Sequence, residues 1–349
     1  MKTVQIAGRS IGSNYPPYII AEMSGNHNNS LERALKIIKA AKQAGADAIK
    51  LQTYTAETMT LDVDHPRFRV AGENPWSGDH LFDLYAKAST PWEWHSRLFE
   101  YGREIGITVF SSPFDSSAVE LLESLDSPAY KIASFELVDL DLVRCCAATE
   151  KPIIMSTGMA SLAEISDAVE AARTAGAQDI VLLKCTSAYP APPEAINLRT
   201  IPHLADAFDV LAGLSDHTMG VGVPVAATAI GATVIEKHFT LARADGGVDS
   251  SFSLEPAELA QLVEETRSVH AALGKVTYEQ GDLESSFKRY RRSLFFVREL
   301  PEGAIISAKD IQALRPGDGL PPKFLPAVMG RGLKSAVTRG TPVSWDLLA

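Results

Sequence analysis

Two apolar runs of the sequence each end in a histidine, and this pattern indicates a metal site. His217 closes the run "VLAGLSDH" and His238 closes "VIEKH". If the runs are neighbouring parallel strands, which lie about 4.8 Å apart, both imidazoles can reach one divalent ion. Glu236 shares the strand face of His238, where it would hold a metal-bound water or support the ligand. Such a site suits an exchangeable Mn or Mg ion rather than a closed structural zinc.

Lysines and serines in other apolar runs indicate an anion site. Lys50 lies in "AIKLQTY" and Lys131 in "AYKIAS", and two ammonium groups beside hydroxyls can bind a phosphate or a carboxylate. The rival chemistry is a Schiff-base lysine, which a carbonyl-polarising metal makes less necessary. The hydroxyls expected beside these lysines belong to Ser112, Ser134, Ser156 and Ser215. Other polar residues at the ends of apolar runs are Glu22, Asn26, His27, Gln52, Ser111, Glu136, Thr157, Lys184, Thr186, Ser187, Tyr189, Asp216 and Lys237.

The scaffold for these residues is predicted from the alternation of strand and helix patterns. Helical segments such as "SLERALKIIKAAKQAGA" begin at a serine cap and end at glycine before the next strand. Eight such units over roughly 250 residues predict an α/β fold, a (β/α)8 TIM barrel, with a doubly wound open sheet as the alternative. In a TIM barrel the carboxyl ends of the strands surround the active site. Lys237 faces away from Glu236 and His238, so we expect it to be structural. The eight strand candidates are "YIIAEM", "AIKLQTY", "ITVFSSP", "AYKIAS", "PIIMSTG", "IVLLKCT", "VLAGLSDH" and "VIEKHFT".

The chain also contains one long insertion and one long apolar stretch. The first, Thr55 to roughly Ile105, contains Trp76, Trp92 and Trp94, which either shape the active site or pack the insertion on the barrel. The second, Val221 to Ile235, is the longest apolar stretch, but it is shorter than the roughly 20 residues of a membrane span. We therefore expect it to form a buried element and expect no membrane partner.

The barrel is predicted to occupy residues 1–274, followed by a linker at 275–292 and a small domain at 293–349. The last region has a β-like pattern with the turns "PEG", "RPGDG", "LPP" and "RGTP". A domain of this size without disulfides has a marginal core of its own, so we expect it to dock on a barrel, either its own or a partner's.

Composition excludes several classes of protein. The chain has 349 residues, 46% of them hydrophobic and 22% charged, which is a globular balance. The net charge of -10 disfavours nucleic acid as a partner, and the basic run "KRYRR" is predicted to be a solvated face or an interdomain contact. Cys145, Cys146 and Cys185 form no C-x-x-C pair, so neither disulfides nor a cysteine zinc site are expected. The first residues do not resemble a secretory signal, which predicts a cytoplasmic location.

Ordered motifs such as "AEMSGNHN", "FSSPFD" and "EKHFT" run along nearly the whole chain, and together they resemble the sialic acid synthase family. The resemblance is closest to its pseudaminic acid synthase branch, mainly through "AEMSGNHN", "TPWEWH" and "CTSAYPAPP". The remaining motifs are "KLQTYTAETMT", "YKIASFE", "STGMA", "NLRTIPHL", "GLSDHT", "RADGGVDSSFSLEP", "LRPGDGLPPK" and "RGTPVSWDLL".

This resemblance implies a metal-dependent condensation of phosphoenolpyruvate with the open aldehyde form of an N-acetylated amino sugar. For the branch in question the sugar is 2,4-diacetamido-2,4,6-trideoxy-L-altrose, and the products are a nine-carbon 2-keto acid and phosphate. The family also implies a TIM barrel with a C-terminal antifreeze-like (SAF, β-clip) domain, which caps the partner's active site in a domain-swapped homodimer. The alternatives are an N-acetylneuraminate or legionaminate synthase, a sugar-phosphate condensing synthase, and a catalytically dead sugar- or phosphate-binding protein.

The resemblance also implies roles for individual residues. Glu136 matches an acid near the reacting carbon. Ser187 stands where the sialic acid branch has asparagine, and Asn29 where it usually has glycine. Because Ser187 touches the ligand region, the first departure disfavours N-acetylmannosamine as the substrate. The matched residues are His217 and His238 for the metal; Lys50, Ser112, Lys131, Ser134, Ser156, Ser187 and Ser215 for phosphoenolpyruvate; and Glu22, Tyr189, Asp249 and Arg315 for the sugar.

Overall fold

The computed structural model describes residues 2–72, 74–279 and 281–349, and the chain divides into two compact units, Met1–Gly274 and Lys275–Ala349. In the described residues, no helix is long and apolar enough to cross a membrane. The strands are β1 (Val4–Ile6), β2 (Arg9–Ile11), β3 (Tyr18–Glu22), β4 (Ala48–Thr53), β5 (Thr108–Pro113), β6 (Tyr130–Ile132), β7 (Ile153–Ser156), β8 (Ile180–Cys185), β9 (Leu211–Asp216), β10 (Val234–His238), β11 (Ser293–Phe296) and β12 (Ile311–Leu314).

Strands β3 to β10 close into a parallel barrel in the order β10-β3-β4-β5-β6-β7-β8-β9. Each of the eight apolar runs forms one of these strands, so the predicted TIM barrel is confirmed. Toward the amino-terminal ends of the strands, the barrel interior is filled by large side chains such as Tyr18 and Phe110. The hairpin β1–β2 adds Ile6 and Ile11 to the same cluster and thereby packs against the amino-terminal end of the barrel. The polar layer of the interior is confined to the opposite end.

Amphipathic helices cover the barrel. Helix α1 buries Ala34, Ile37, Ile38 and Ala41 against the strands, and Ser30 caps it by accepting from the Arg33 N–H. The helices are α1 (Leu31–Gln43), α2 (Ala56–Met59), α3 (Leu81–Ala88), α4 (Trp92–Ile105), α5 (Ser116–Ser124), α6 (Leu140–Ala147), α7 (Leu162–Thr174), α8 (Thr200–Phe208), α9 (Gly222–Ala229), α10 (Pro256–Leu273), α11 (Asp282–Ser285) and α12 (Leu325–Val328).

Two predictions from the sequence were wrong: the end of the insertion and the structure of the long apolar stretch. The insertion after β4 ends before α4, because Trp92–Ile105 is the barrel helix that precedes β5. The stretch Val221–Ile235 is not one buried element. It forms the half-exposed surface helix α9, turns at Gly231 with a left-handed φ of 103°, and then enters β10. Ile230, just before this turn, is 38% exposed.

The second unit has a core of its own. Strands β11 and β12 pair antiparallel and contribute Leu294, Phe296 and Ile311 to a cluster that also contains Val328 and Val343. This cluster gives the unit a continuous apolar interior despite its small size. The basic run at residues 288–292 is exposed in this unit, as expected of a solvated face.

Candidate active site

The carboxyl ends of the barrel strands bring the predicted polar residues into one layer. In the strand register, Glu22 lies beside His238 on one side and beside Lys50 on the other. Glu236 is paired with Ser215 of the neighbouring strand. Since alternate residues of a strand share a face, these positions point into the barrel and not toward the helices. All five side chains are buried or nearly so.

Two carboxylates surround the ammonium group of Lys50. Its Nζ lies 2.5 Å from Glu22 Oε2 and 3.8 Å from Glu236 Oε1, and these side chains are at most 7% exposed. Burial raises the pKa of Glu22 to about 7, against the lowering influence of Lys50. Burial lowers the pKa of Lys50, but the two carboxylates outweigh it and raise that pKa. Lys50 is therefore a permanent cation at the floor of the site.

A cluster of hydroxyls lies beside the lysines. Lys50 Nζ donates to Ser112 Oγ at 3.2 Å, and the Gly158 N–H donates to Ser134 Oγ at 3.2 Å. A Cβ at Gly158 would come within 2.4 Å of Ser187 Oγ and 2.7 Å of Ser134 Oγ, so only glycine leaves room for both hydroxyls.

Two further groups of this cluster suit an anion. Ser156 Oγ is buried and has no hydrogen-bond partner in the described residues. Lys131 is 1% exposed, and burial, followed by the repulsion of Lys50, lowers its pKa. Its Nζ donates to the carbonyl of Ile132 at 2.8 Å. Buried lysines and an unpaired hydroxyl are groups suited to bind a phosphate or a carboxylate, whose charge would favour the protonated form of Lys131.

The predicted pair of histidines is close together. The rings of His217 and His238 have centroids 5.3 Å apart. His217 Nδ1 lies 2.9 Å from the carbonyl of Thr186 and donates to it, which leaves Nε2 with a free lone pair. His238 Nδ1 is buried without a partner in the described residues, and burial lowers the pKa of this ring so that it is neutral.

His238 therefore fits the chemistry of a metal ligand, which must be a neutral imidazole. Burial lowers the pKa of His217, but its contact with Cys185 outweighs burial and raises that pKa, so a bound ion would have to displace a proton from this ring. In the part of the chain that the structure describes, no group of three or more His, Cys, Asp or Glu residues is arranged to hold an ion. The two histidines therefore fit an open site whose remaining positions are filled by solvent or substrate, and not a closed structural site.

A cavity of about 860 Å³ opens above this layer. His238, Tyr189, Asp249 and Glu136 line it. The Tyr189 ring packs on His217 with centroids 4.3 Å apart. Burial raises the pKa of Glu136 to about 7, and its Oε2 is buried without a partner in the described chain. An acid that titrates near neutrality therefore faces the cavity.

The three tryptophans in or near the insertion lie in different surroundings. Trp76 lines the cavity, donates from Nε1 to the Val248 carbonyl at 2.9 Å, and packs edge-on against Tyr189. Trp94 packs against His27, with ring centroids 5.5 Å apart, and Trp92 begins helix α4. Only Trp76 of these three is a cavity wall.

Several other polar residues that end the apolar runs have structural partners. Lys237 Nζ lies 2.8 Å from Asp216 Oδ2 in a fully buried ion pair, which confirms that Lys237 is structural. Lys184 Nζ donates to the Cys185 carbonyl, and Thr157 Oγ1 to the Leu183 carbonyl. Further pairs of this kind are Asn26 with Phe239 O and Ser253 Oγ, His27 with the Asn29 N–H, and Ser111 with Thr53. Arg315 is exposed in the second unit, directly after β12.

Sequence reasoning missed residues of the site whose roles depend on backbone geometry. Ser24 lines the cavity, and its hydroxyl donates to Asp249. Gly158 makes room for two serines, as described above. The Cys185 Sγ lies 4.0 Å from His217 Nδ1. Burial raises the pKa of this thiol, but contacts with His217 and Ser134 outweigh it and lower the pKa to about 7. Ser24 and Cys185 both lie within the quoted motifs, which is the only signal the sequence offers.

A second cavity, of about 670 Å³, lies at the amino-terminal ends of β4 and β5. It contains none of the predicted site residues. Its basic residues are engaged by backbone carbonyls: Lys42 by Gly106, Arg267 by Gly45 and Arg9 by Pro16. This face is therefore organised for stability, as is typical of the amino-terminal end of a TIM barrel.

A TIM barrel with buried lysines, carboxylates and a histidine pair at its carboxyl-terminal mouth is an enzyme barrel with an anion-binding active site. The NeuB family model matches residues 37–278, and the SAF domain model matches residues 291–349. The chain belongs to the NeuB family, and its C-terminal region is a SAF domain. The resemblance to sialic acid synthases is thereby confirmed.

Individual proteins of this family are similar to the chain to different degrees. The chain is 44% identical to the pseudaminic acid synthase of Helicobacter pylori, over 95% of this chain and 97% of that protein. It is 35% identical to the N,N'-diacetyllegionaminic acid synthase of Legionella pneumophila, over 96% and 95% of the two chains. Among solved structures, the N-acetylneuraminic acid synthetase of Leptospira borgpetersenii, in complex with citrate, matches with a TM-score of 0.73 and 31% identity. That match covers 82% of this chain and 95% of the other.

Proposed function

We propose that this enzyme condenses phosphoenolpyruvate with 2,4-diacetamido-2,4,6-trideoxy-L-altrose to give pseudaminic acid and phosphate. The observation that carries the proposal is the buried polar layer in which Lys50 lies between Glu22 and Glu236, beside His238. Buried charges of this kind are costly, and a protein that only binds a sugar has no need of them. The higher identity to a pseudaminic acid synthase than to a legionaminic acid synthase supports the choice of sugar.

We assign phosphoenolpyruvate binding to the buried lysines and hydroxyls at the carboxyl ends of the barrel strands. Lys50 and Lys131 supply two cations for the phosphate and carboxylate, which carry the charge of this substrate. The hydroxyl cluster around Gly158 supplies donors that orient it. The proposed contacts are Lys50, Ser112, Lys131, Ser134, Ser156, Ser187 and Ser215.

His217 and His238 are the residues that would hold a divalent ion, Mn or Mg. When bound, the ion would supply a Lewis acid that polarises the sugar aldehyde. The hydrogen bond from His217 Nδ1 to the Thr186 carbonyl fixes the ring and leaves Nε2 as the nitrogen that can bind the ion. The burial of His238 keeps it neutral and available as a ligand.

The acids of the cavity are assigned to proton transfer and to sugar binding. In the reaction, C3 of phosphoenolpyruvate bonds to the aldehyde carbon, water adds at C2, and the C2–O bond to phosphate breaks. Glu136, whose pKa is raised to about 7, is suited to accept the proton of that water near neutral pH. Glu22, Tyr189 and Asp249 orient the sugar hydroxyls and amides.

The assembly is part of the same proposal. Following the family resemblance, we propose a domain-swapped homodimer in which Arg315 meets the sugar N-acetyl group of the partner's site. We also propose that residues 275–292 link the two domains. The free thiols of Cys145, Cys146 and Cys185 suit a reducing compartment, in keeping with a cytoplasmic location.

Phosphate release from phosphoenolpyruvate tests this function. The full chain is incubated with Mn and one of three sugars: the diacetamido trideoxy altrose, the legionaminate precursor or N-acetylmannosamine. We expect release with the altrose sugar, loss of release with a chelator, and recovery when Mn is added back. Release with another sugar alone would replace the substrate, and no release with any sugar would favour a binding protein.

A further inference from the structure

Ser24 has a backbone conformation that serine rarely adopts. Its φ is 46°, in the left-handed region, where glycine is favoured because it has no Cβ. The residue is 3% exposed and lines the 860 Å³ cavity. Of the non-glycine residues with positive φ in the described chain, Ser24 lines this cavity, and strained backbone in a cavity wall is an indication of a ligand site. The serine side chain must therefore provide something that glycine would not.

Both hydrogen-bond donors of Ser24, the backbone N–H and the hydroxyl, already have acceptors. Its N–H donates to Glu22 Oε1 at 3.1 Å, and its hydroxyl donates to Asp249 Oδ2. A serine hydroxyl has one proton and two lone pairs, so toward the cavity Ser24 can only accept a hydrogen bond. Ser24 also fixes the positions of two acids on different chain segments that the proposed function assigns to the sugar.

We propose that Ser24 is a specificity residue whose hydroxyl oxygen accepts a hydrogen bond from an acetamido N–H of the sugar. An amide N–H can only donate, so it complements a group that can only accept. Met59, Leu81 and Leu84 give the same cavity an apolar wall suited to the methyl group of an acetamido substituent. This inference rests on the proposed function, because it names a contact of that sugar.

The test pairs a side-chain change with a change in the sugar. Ser24→Gly removes the hydroxyl and relaxes the left-handed backbone, so it keeps the protein folded; Ser24→Ala removes the hydroxyl alone. Steady-state kinetics compare three sugars: the diacetamido sugar and two analogues in which the acetamido group at C2 or at C4 is replaced by hydrogen. Asn29→Gly is the matched control, since Asn29 is exposed and also left-handed, with a φ of 52°.

With the diacetamido sugar, we expect Ser24→Gly to lower kcat/KM roughly tenfold or more, the usual effect of losing one hydrogen bond in a binding site. The KM for phosphoenolpyruvate should change less than about twofold, and the protein should stay folded, because the relaxed backbone offsets part of the stability lost with the hydrogen bond to Asp249. With one of the two analogues, Ser24→Gly should no longer lower kcat/KM, because that analogue lacks the acetamido N–H that would bond to Ser24. Asn29→Gly should leave the kinetics unchanged.

The outcomes separate this inference from the function on which it rests. If the wild-type protein releases no phosphate with the diacetamido sugar, the proposed function fails. If the wild-type protein is active and Ser24→Gly matches it, the inference fails. An equal loss with all three sugars would also overturn it, because that pattern indicates a structural role. An unchanged result for Ser24→Ala together with a loss for Ser24→Gly would assign the effect to the backbone and contradict the hydroxyl contact.

Discussion

Replacing Glu136 with glutamine should make the protein more stable and much less active. Burial raises the pKa of Glu136 from 4.5 to about 7. Between these pH values the folded state binds more protons than the unfolded state, so the stability contributed by Glu136 falls as pH rises. A pKa difference of about 2.5 corresponds to about 3 kcal/mol, reached in full above pH 7. Because the side chain is partly exposed, we expect about 2 kcal/mol.

Glu136→Gln keeps the shape and removes the charge. The unfolding free energy of the variant should equal that of the wild type at pH 4 and exceed it by about 2 kcal/mol at pH 8. Urea unfolding followed by tryptophan fluorescence measures this difference, since Trp76, Trp92 and Trp94 all lie in the barrel unit. The rate of phosphate release should fall at least about 100-fold, the usual effect of losing a general base. Glu170→Gln is the control, because Glu170 is exposed on α7.

Three results would contradict the properties assigned to Glu136. If wild type and Glu136→Gln have the same pH dependence of unfolding free energy, the carboxyl group is not destabilised by burial. A variant that is less stable at pH 8 would show instead that the carboxylate makes a favourable interaction in the folded state. A variant that keeps full activity would remove Glu136 from the mechanism.

Three further changes test the floor of the site and the histidine pair. Lys50→Met leaves Glu22 and Glu236 buried without their cation, so unfolding free energy should fall by about 3–5 kcal/mol and phosphoenolpyruvate binding should be lost in calorimetry. Gly158→Ala places a Cβ against two serine hydroxyls, and the KM for phosphoenolpyruvate should rise about tenfold or more with little effect on kcat. His238→Ala should abolish both Mn binding, measured by calorimetry, and Mn-dependent phosphate release.

Each of these expectations has a contrary result. Wild-type stability in Lys50→Met would mean that the two carboxylates are protonated or solvated without the lysine. An unchanged KM in Gly158→Ala would place the phosphate away from Ser134 and Ser187. Full activity and metal dependence in His238→Ala would remove this residue from the metal site.

The barrel was predictable because its signals are local and repeated. Each strand is a short apolar run, and helices such as α1 carry a serine cap and residues spaced three or four apart. The boundary of the insertion was less predictable, since Trp92 and Trp94 belong to an amphipathic helix that resembles the helices of the insertion. The turn at Gly231 was missed because the apolar run continues through it, although the backbone reverses there.

The inward-facing residues of the candidate site could be predicted from strand periodicity. Glu236 and His238 face the interior while Lys237 faces outward, as their spacing of two requires. Contacts between distant segments could not be predicted in this way. The bond between Ser24 and Asp249 joins residues 225 positions apart, and it depends on a backbone angle that no residue pattern encodes. The room left by Gly158 for two serines depends likewise on how three loops meet.

The most direct measurement of the central claim is a competition among sugars. The full chain, Mn and phosphoenolpyruvate are mixed with equal concentrations of the diacetamido trideoxy altrose, the legionaminate precursor and N-acetylmannosamine, and the nine-carbon products are separated and identified by chromatography and mass spectrometry. The product ratio at low conversion equals the ratio of kcat/KM values. We expect pseudaminic acid to predominate and phosphate to form in equal amount. A predominant product from either other sugar would contradict it.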